Sequence, residues 1–473
     1  DTDVYKFTVS TDSILSATIT GLSELVQAKL FRDLNGDGVL AGDEQLEIRD
    51  NYYSGATLTF NGEPLMKGTY FLQVSPWNSE VNTAYTLAIS AASIAGSQDA
   101  GGTAATARDF GTLTTAVQTV NDIAQWSDTD VYKFTVSSDS ILSATITGLS
   151  ELVQVRLFRD LNGDGILVSS DQLEIRDNYY SGATLTFNGE PLMKGTYYLQ
   201  VSPWNSEVNT AYTLAISAAA IPGSQDAGGT TATARDFGTL TTTQQTVNDI
   251  AQSGDNDIFK FTLSTDSTLS ATITGLSELV QARLFRDLNG DGILTSDEQL
   301  EVRDNYYSGA TLTFNGESLM KGTYYLQVSP WNSEVNTAYT LAISAASIPG
   351  STDAGGTVAP ARNLGTLTAT AQAVKDLAQS GDNDIYKFTL APGAKLKAAI
   401  TGLTELVQAR LYRDLNNDGI LTANEQIAYR DNYSSGASFD FNGLTLAGGT
   451  YFLQISPWNT EVNTEYQLTV SAV

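Results

Sequence analysis

Four short stretches of this sequence place oxygen-bearing side chains on alternate residues and then turn on a glycine. In the first, Asp33, Asn35 and Asp37 alternate, Gly38 follows, Val39 comes next, and Glu44 closes the stretch. The same order returns at Asp160, Asn162, Asp164, Ile166 and Asp171. It returns again at Asp287, Asn289, Asp291, Ile293 and Glu298, and at Asp414, Asn416, Asp418, Ile420 and Glu425, each time 127 residues on. Each copy follows the twelve-residue calcium-loop pattern, the second with Asp171 in the last place. A hard divalent cation takes six to eight oxygens at about 2.3–2.6 Å. The alternating side chains can point inward, the glycine allows the sharp turn, and Val39 and its counterparts can offer a backbone carbonyl. The closing carboxylate is expected to supply two oxygens. Asp171 is shorter than Glu44, Glu298 and Glu425, so the second site is expected to be the weakest. The expected metal is Ca2+, about one per repeat. An ordinary Asp/Asn/Gly turn needs no metal, but four full copies in register favour the metal.

The segments that must position these loops do not read as helices, unlike the flanks of an EF-hand. Val26-Gln27-Ala28-Lys29-Leu30 before the loop and Leu46-Glu47-Ile48-Arg49 after it alternate apolar and polar residues, so the loop joins two strands. The second repeat shows the rest of the plan. Gln98–Thr103 is small and flexible and reads as a linker. Arg108–Leu113 and Gln118–Ile123 suggest one or two short strands. Tyr132, Phe134 and Val136 share a face, as do Leu142, Ala144 and Ile146, then Tyr197, Leu199 and Val201, then Tyr212, Leu214 and Ile216. Ala183–Phe187 runs into Asn188-Gly189, a two-residue hairpin signal. About eight short strands per repeat with almost no helical periodicity predict an all-β chain. The expected architecture is a tandem array of four jelly-roll-like β-sandwiches, over residues 1–97, 98–224, 225–351 and 352–473.

The motifs Asp-Val-Tyr-Lys-Phe-Thr-Val (130–136), Leu-Ser-Ala-Thr-Ile-Thr-Gly-Leu (142–149), Gly-Thr-Tyr-Tyr-Leu-Gln-Val (195–201) and Ala-Tyr-Thr-Leu-Ala-Ile-Ser (211–217) follow Ala-Arg-Asp-Phe-Gly-Thr-Leu (107–113). In this order they resemble the bacterial pre-peptidase C-terminal domain, over nearly the whole chain. The resemblance implies small jelly-roll-like sandwiches, appended to secreted enzymes or repeated in surface proteins. The loop between two strands departs from the common pattern, as some repeat-rich members do. The name implies no proteolysis by this chain, since no peptidase domain accompanies it.

Composition narrows the function. The 473 residues are too many for one core, and 41% are hydrophobic. Histidine and cysteine are both absent. The usual zinc sites, thiolate nucleophiles, imidazole bases and disulfides are thereby excluded. Bound calcium is the candidate for rigidity in their place. The net charge of −28, from 53 acidic and 25 basic residues, disfavours nucleic acid and anionic membranes. No apolar run approaches the roughly 18 residues that would span a bilayer, so no membrane insertion is expected. Without His or Cys the common catalytic triads are gone. A glycosidase-type carboxylate pair would have to exist in four near-identical copies. The chain is therefore expected not to be an enzyme.

Each repeat also carries a Ser-Pro-Trp-Asn motif, with Trp77, Trp204, Trp331 and Trp458. A Trp beside Asn and Glu could stack on a sugar; packing against the linker or a neighbouring repeat is the expected use. Arg49-Asp50-Asn51-Tyr52-Tyr53 and its copies could serve a second metal or a ligand; a structural Arg–Asp pair or a contact between repeats is the expected use. Two functional classes result. The leading one is a calcium-stabilised structural repeat protein of a cell-surface fibre, filament or stalk, extracellular and self-associating. The alternative is a carbohydrate- or surface-binding adhesin, or a non-catalytic region of a larger secreted protein. An adhesin keeps its aromatics exposed in a groove, whereas a fibre buries Trp77 and its copies between repeats or between chains. The ends differ as well. Asp1 aligns with Asp128, so the first repeat lacks the counterpart of residues 98–127. The fourth repeat diverges most, at Ala391–Lys395 and Tyr429, as capping repeats do. Asp1 is expected to be a cut or the start of a window within a longer array, and Val473 to lie near a natural C-terminus. Either more repeats precede Asp1, or a neighbouring chain adds the missing strand.

Overall fold

The computed structural model describes residues 1–473 except Ser127, Leu161, Asn162, Ser206, Glu207, Ser333, Glu334, Asn417, Thr460 and Glu461. The regular elements are strands and four three-residue 3-10 turns. Asp1–Pro222 and Gly223–Val473 form two compact units, each holding two repeats.

The second repeat shows the sandwich. One sheet runs in the order Gln118–Gln125, Asn209–Ala220, Ser140–Thr147, Leu185–Thr186, with Glu190–Leu192 also on Ser140–Thr147. The other runs Gln172–Asp177, Val153–Arg159, Gly195–Pro203, Asp130–Val136, Arg108–Thr112. Ten strands thus replace the eight or so expected. All pairings are antiparallel except that of Arg108–Thr112 with Asp130–Val136. Alternation decides which residues meet between the sheets. Tyr132, Phe134, Leu142, Ala144, Ile146, Tyr197, Leu199, Val201, Tyr212, Leu214 and Ile216 join one buried cluster. Equivalent clusters fill the other three repeats, so each has its own core. The first repeat has eight strands in two four-stranded sheets. There Val4, Tyr5 and Ile89 are exposed, whereas their counterparts Val131, Tyr132 and Ile216 are buried.

Asn188-Gly189 is not a hairpin. Leu185–Thr186 and Glu190–Leu192 run in the same direction along Ser140–Thr147, so the dipeptide interrupts one strand. Gly189 sits at φ 92° and its amide still bonds the Leu142 carbonyl at 3.0 Å. In the third repeat the same stretch is one strand, Leu312–Leu319, with a register shift opposite Leu269/Ser270. The glycine serves a bulge, which needs the same left-handed backbone as a tight turn.

Within each unit, consecutive repeats meet through side chains. In the first, Arg32 donates to Gln125 Oε1 (2.5 Å), Gln125 donates to Asn209 (3.0 Å), and Asn209 donates back to the Pro64 carbonyl (2.8 Å). In the second unit, Arg286 donates to Gln379 (3.0 Å) and Gln379 to Asn463 (2.8 Å). Met320, Ile348 and Leu377 form a small apolar cluster beside them.

Candidate metal centre

Each twelve-residue loop joins two paired strands, as the flanking alternation predicts. The first lies between Val26–Arg32 and Gln45–Asp50 and ends in a 3-10 turn, Gly42–Glu44. The loop folds around its own oxygens. Asp33 Oδ1 accepts the Gly36 amide (2.7 Å), Asn35 Oδ1 that of Asp37 (2.8 Å), and Asp37 Oδ1 that of Val39 (2.7 Å). Glu44 is buried, with one oxygen on the Leu34 amide (3.0 Å) and the other on that of Ala41 (3.2 Å). It ties the two ends of the loop together.

The third loop repeats this with Asp287, Asn289, Asp291 and Glu298. In the fourth, Asn416, Asp418 and Glu425 do the same, and Asp414 Oδ2 takes the Gly419 amide. Those bonds to Thr422 and Leu415 hold the Glu425 carboxyl below its ordinary range. In the second, Asp160 accepts from Gly163 and Gly165, Asp164 from Ile166, and Asp171 from Val168. Asn162 lies outside the described residues. Val39, Ile166, Ile293 and Ile420 turn their side chains to solvent, leaving only their backbone for a metal. The donor set is all oxygen, the chemistry that suits a hard cation.

Carboxylates gather in threes elsewhere. One oxygen from each of Asp99, Asp128 and Asp130 falls within 4.8 Å of the others, and so with Asp226, Asp255, Asp257 and with Asp353, Asp382, Asp384. Among the described residues these three triads could hold a metal ion; the loop carboxylates form no such triad. Sequence reading missed them because Asp99 stands in what reads as a linker, far along the chain from Asp128. The signal was present as an Asp-x-Asp pair opening one strand of every repeat.

Two expectations are corrected. Trp77, Trp204, Trp331 and Trp458 are not buried; each is more than half exposed, from 51% to 55%. Arg49 pairs with Glu47 and Glu63 rather than with Asp50. Asn51 is buried instead, accepting the Val26 amide (2.6 Å) and donating to the Glu24 carbonyl (2.9 Å). That brace carries Tyr52 and Tyr53, 79% and 74% exposed, at a groove of about 480 Å3 that Glu24, Asn78 and Glu80 also line.

No helix among the described residues is long and apolar enough to cross a membrane. No protein-family model and no curated protein matches the sequence. Solved structures similar to parts of it include the pre-peptidase C-terminal domain of a collagenase from Bacillus anthracis, at 14% identity. That likeness covers 23% of this chain and 92% of that one, with a TM-score of 0.18. PliG of Aeromonas hydrophila, a periplasmic inhibitor of g-type lysozyme, is 14% identical over 24% of this chain and 98% of its own (TM-score 0.19). A fucolectin from striped bass (Morone saxatilis) serum is 15% identical over 49% and 85% (TM-score 0.17). At TM-scores this low, none of the three bears on function or descent.

Proposed function

We propose that the chain is a calcium-stabilised, non-catalytic structural repeat protein of an extracellular fibre, filament or stalk. The observation that carries this reading is the junction within each unit. Arg32, Gln125 and Asn209 join the first two repeats, and Arg286 and Gln379, equivalent to Arg32 and Gln125, join the last two, with the Tyr324 hydroxyl also donating to Gln379. A head-to-tail contact that recurs at a fixed period propagates a linear array, as in solenoid-like proteins. Calcium in the four loops, held by Asp33, Asn35, Asp37 and Glu44 and their counterparts, would fix the strand pair that flanks each loop. The exposed edge of Thr86–Ser93 in the first repeat would accept a further strand, from the same chain or another.

Calorimetry tests the metal. With dissociation constants of about 10⁻⁴–10⁻³ M, about 5 mM free calcium stabilises the fold by about 1–2 kcal/mol per site. Two loops per unit then raise Tm by about 5–15 °C over EDTA, with magnesium substituting poorly. Identical transitions in EDTA and calcium would refute the reading. Sedimentation in calcium tests assembly: a chain that stays monomeric at high concentration does not form a fibre. A second reading, an adhesin, is favoured by the exposure of the tyrosine pairs and tryptophans. It is tested by immobilised glycans, whose retention of the chain must disappear when Tyr52, Tyr53, Tyr179, Tyr180, Tyr306, Tyr307 and Tyr433 are all replaced by Ala.

A further inference from the structure

The three acidic triads differ from ordinary surface carboxylates in one respect: the innermost member is sealed in the protein. Asp130 is 0% exposed. Its Oδ2 accepts the Tyr212 hydroxyl at 2.7 Å, but among the described residues its buried Oδ1 has no hydrogen-bond partner. Asp257 repeats this with Tyr339, and Asp384 with Tyr466, each at 2.7 Å and each with a bare Oδ1. Bare buried carboxylate oxygens are rare, because the oxygen has given up water for nothing. Here the same atom is bare in three repeats, and it belongs to a cluster of three carboxylates.

The surroundings make the deficit worse. Burial first, then Asp122 and Asp128, push the Asp130 carboxyl well above its ordinary range. Burial and Asp99 push Asp128 up to about 6, with Arg32 pulling the other way. A cation among the three carboxylates would offset the repulsion between them.

The linker is built to deliver its carboxylate. Asp99 Oδ1 accepts the Gly101 amide at 2.9 Å, and the Gly101 carbonyl accepts the amide of Val131, next to Asp130, at 3.0 Å. Gly101 has φ +70°, and a Cβ there would lie 2.6 Å from the Thr106 carbonyl, so the turn admits only glycine. Gly228 and Gly355 make the same turn, with carbonyls 2.6 and 2.9 Å from the position of a Cβ.

We infer that Asp99/Asp128/Asp130, Asp226/Asp255/Asp257 and Asp353/Asp382/Asp384 are a second class of divalent-cation site, for calcium, that clips each linker to the strand entering the next core. Size and chemistry select the ion. Oxygens around calcium lie at about 2.3–2.6 Å and so stand up to about 4.6–5.2 Å apart, which accommodates the 4.8 Å limit of the triads. Magnesium, at about 2.0–2.1 Å, needs a tighter cluster and gives up its water reluctantly. The oxygen-only donor set argues against softer metals.

The test is calcium stoichiometry of the full chain, by equilibrium dialysis with elemental analysis. The variant Asp99→Asn/Asp226→Asn/Asp353→Asn touches only the linker member of each triad. Asp99 and Asp226 are exposed and Asp353 half-buried, and Asn retains the oxygen that accepts the glycine amide. A second variant, Asp37→Ala with Asp164→Ala, Asp291→Ala and Asp418→Ala, disables the loops. Seven ions in the native chain, four in the linker variant and three in the loop variant support both classes of site. Three in the native chain and none in the linker variant support the triads and refute the loops. Any stoichiometry and affinity that the linker variant leaves unchanged overturns the triads.

Discussion

Asn305→Ala isolates the brace that presents an exposed tyrosine pair. Asn305 is buried; its Oδ1 accepts the Val280 amide at 2.6 Å and its Nδ2 donates to the Glu278 carbonyl at 2.8 Å. Val280 opens the strand Val280–Phe285 and is itself fully buried, so water cannot replace the lost acceptor. An unsatisfied buried group costs about 1–3 kcal/mol. The Val280 amide carries that full cost, and the part-buried Glu278 carbonyl adds about 1 kcal/mol. The expected loss is about 2–4 kcal/mol. At about 1.4 kcal/mol per factor of ten, hydrogen-exchange protection over residues 279–285 should fall about 30- to 1000-fold. Tyr306→Ala is the control, because that side chain is 83% exposed and surface changes stay within about 0.5 kcal/mol. Protection that falls less than about threefold in Asn305→Ala, or equally in both variants, refutes the brace.

Gly101→Ala and Gly96→Ala share a φ near +70°, but only Gly101 meets a carbonyl at 2.6 Å, whereas nothing lies within 4 Å of a Cβ at Gly96. Urea unfolding should show about 1–2 kcal/mol lost at Gly96 and distinctly more at Gly101. Burial, reinforced by Glu47 and opposed by Arg49, raises the Glu63 carboxyl from 4.5 to about 7. A carboxyl raised on folding favours the fold below its ordinary pKa, and that advantage is lost as pH rises through about 7. Glu63→Gln should therefore stabilise the first unit at pH 8 by about 1–2 kcal/mol after solvent screening, and change little at pH 4, by thermal melts. Gln379→Ala removes the acceptor for Arg286 and Tyr324. It should lower the cooperativity between the third and fourth repeats, read as a split calorimetric transition.

What the sequence disclosed follows from period. Strand faces were legible because Tyr132, Phe134 and Val136 must point one way, and they do. The same rule, applied further, would have found the partner of Arg49. Residues two apart share a face, so Glu47 lies beside it and Asp50 points away. Asn188-Gly189 misled because a left-handed glycine serves a bulge and a hairpin alike. The triads were invisible since their members belong to a linker and a strand brought together only by folding. Tryptophan exposure was misjudged because hydrophobicity ranks residues by average burial, and these four sit at strand ends.

The strands Gln118–Gln125 and Gln245–Gln252 have the same eight residues, Gln-Thr-Val-Asn-Asp-Ile-Ala-Gln, and pair with closing strands that differ only at their last position. Each such pairing spans most of a repeat, so it forms late, after shorter contacts. A refolding chain therefore meets two equivalent partners for each of these strands. Exchange between the second and third repeats would satisfy every hydrogen bond while crossing the chain. The fourth repeat, with Gln-Ala-Val-Lys-Asp-Leu-Ala-Gln in that place, is less interchangeable. Refolding from denaturant should thus yield exchanged, slowly resolving species that single-molecule pulling would record as double-length unfolding steps, and synthesis from the N-terminus, closing one repeat before the next emerges, would avoid them.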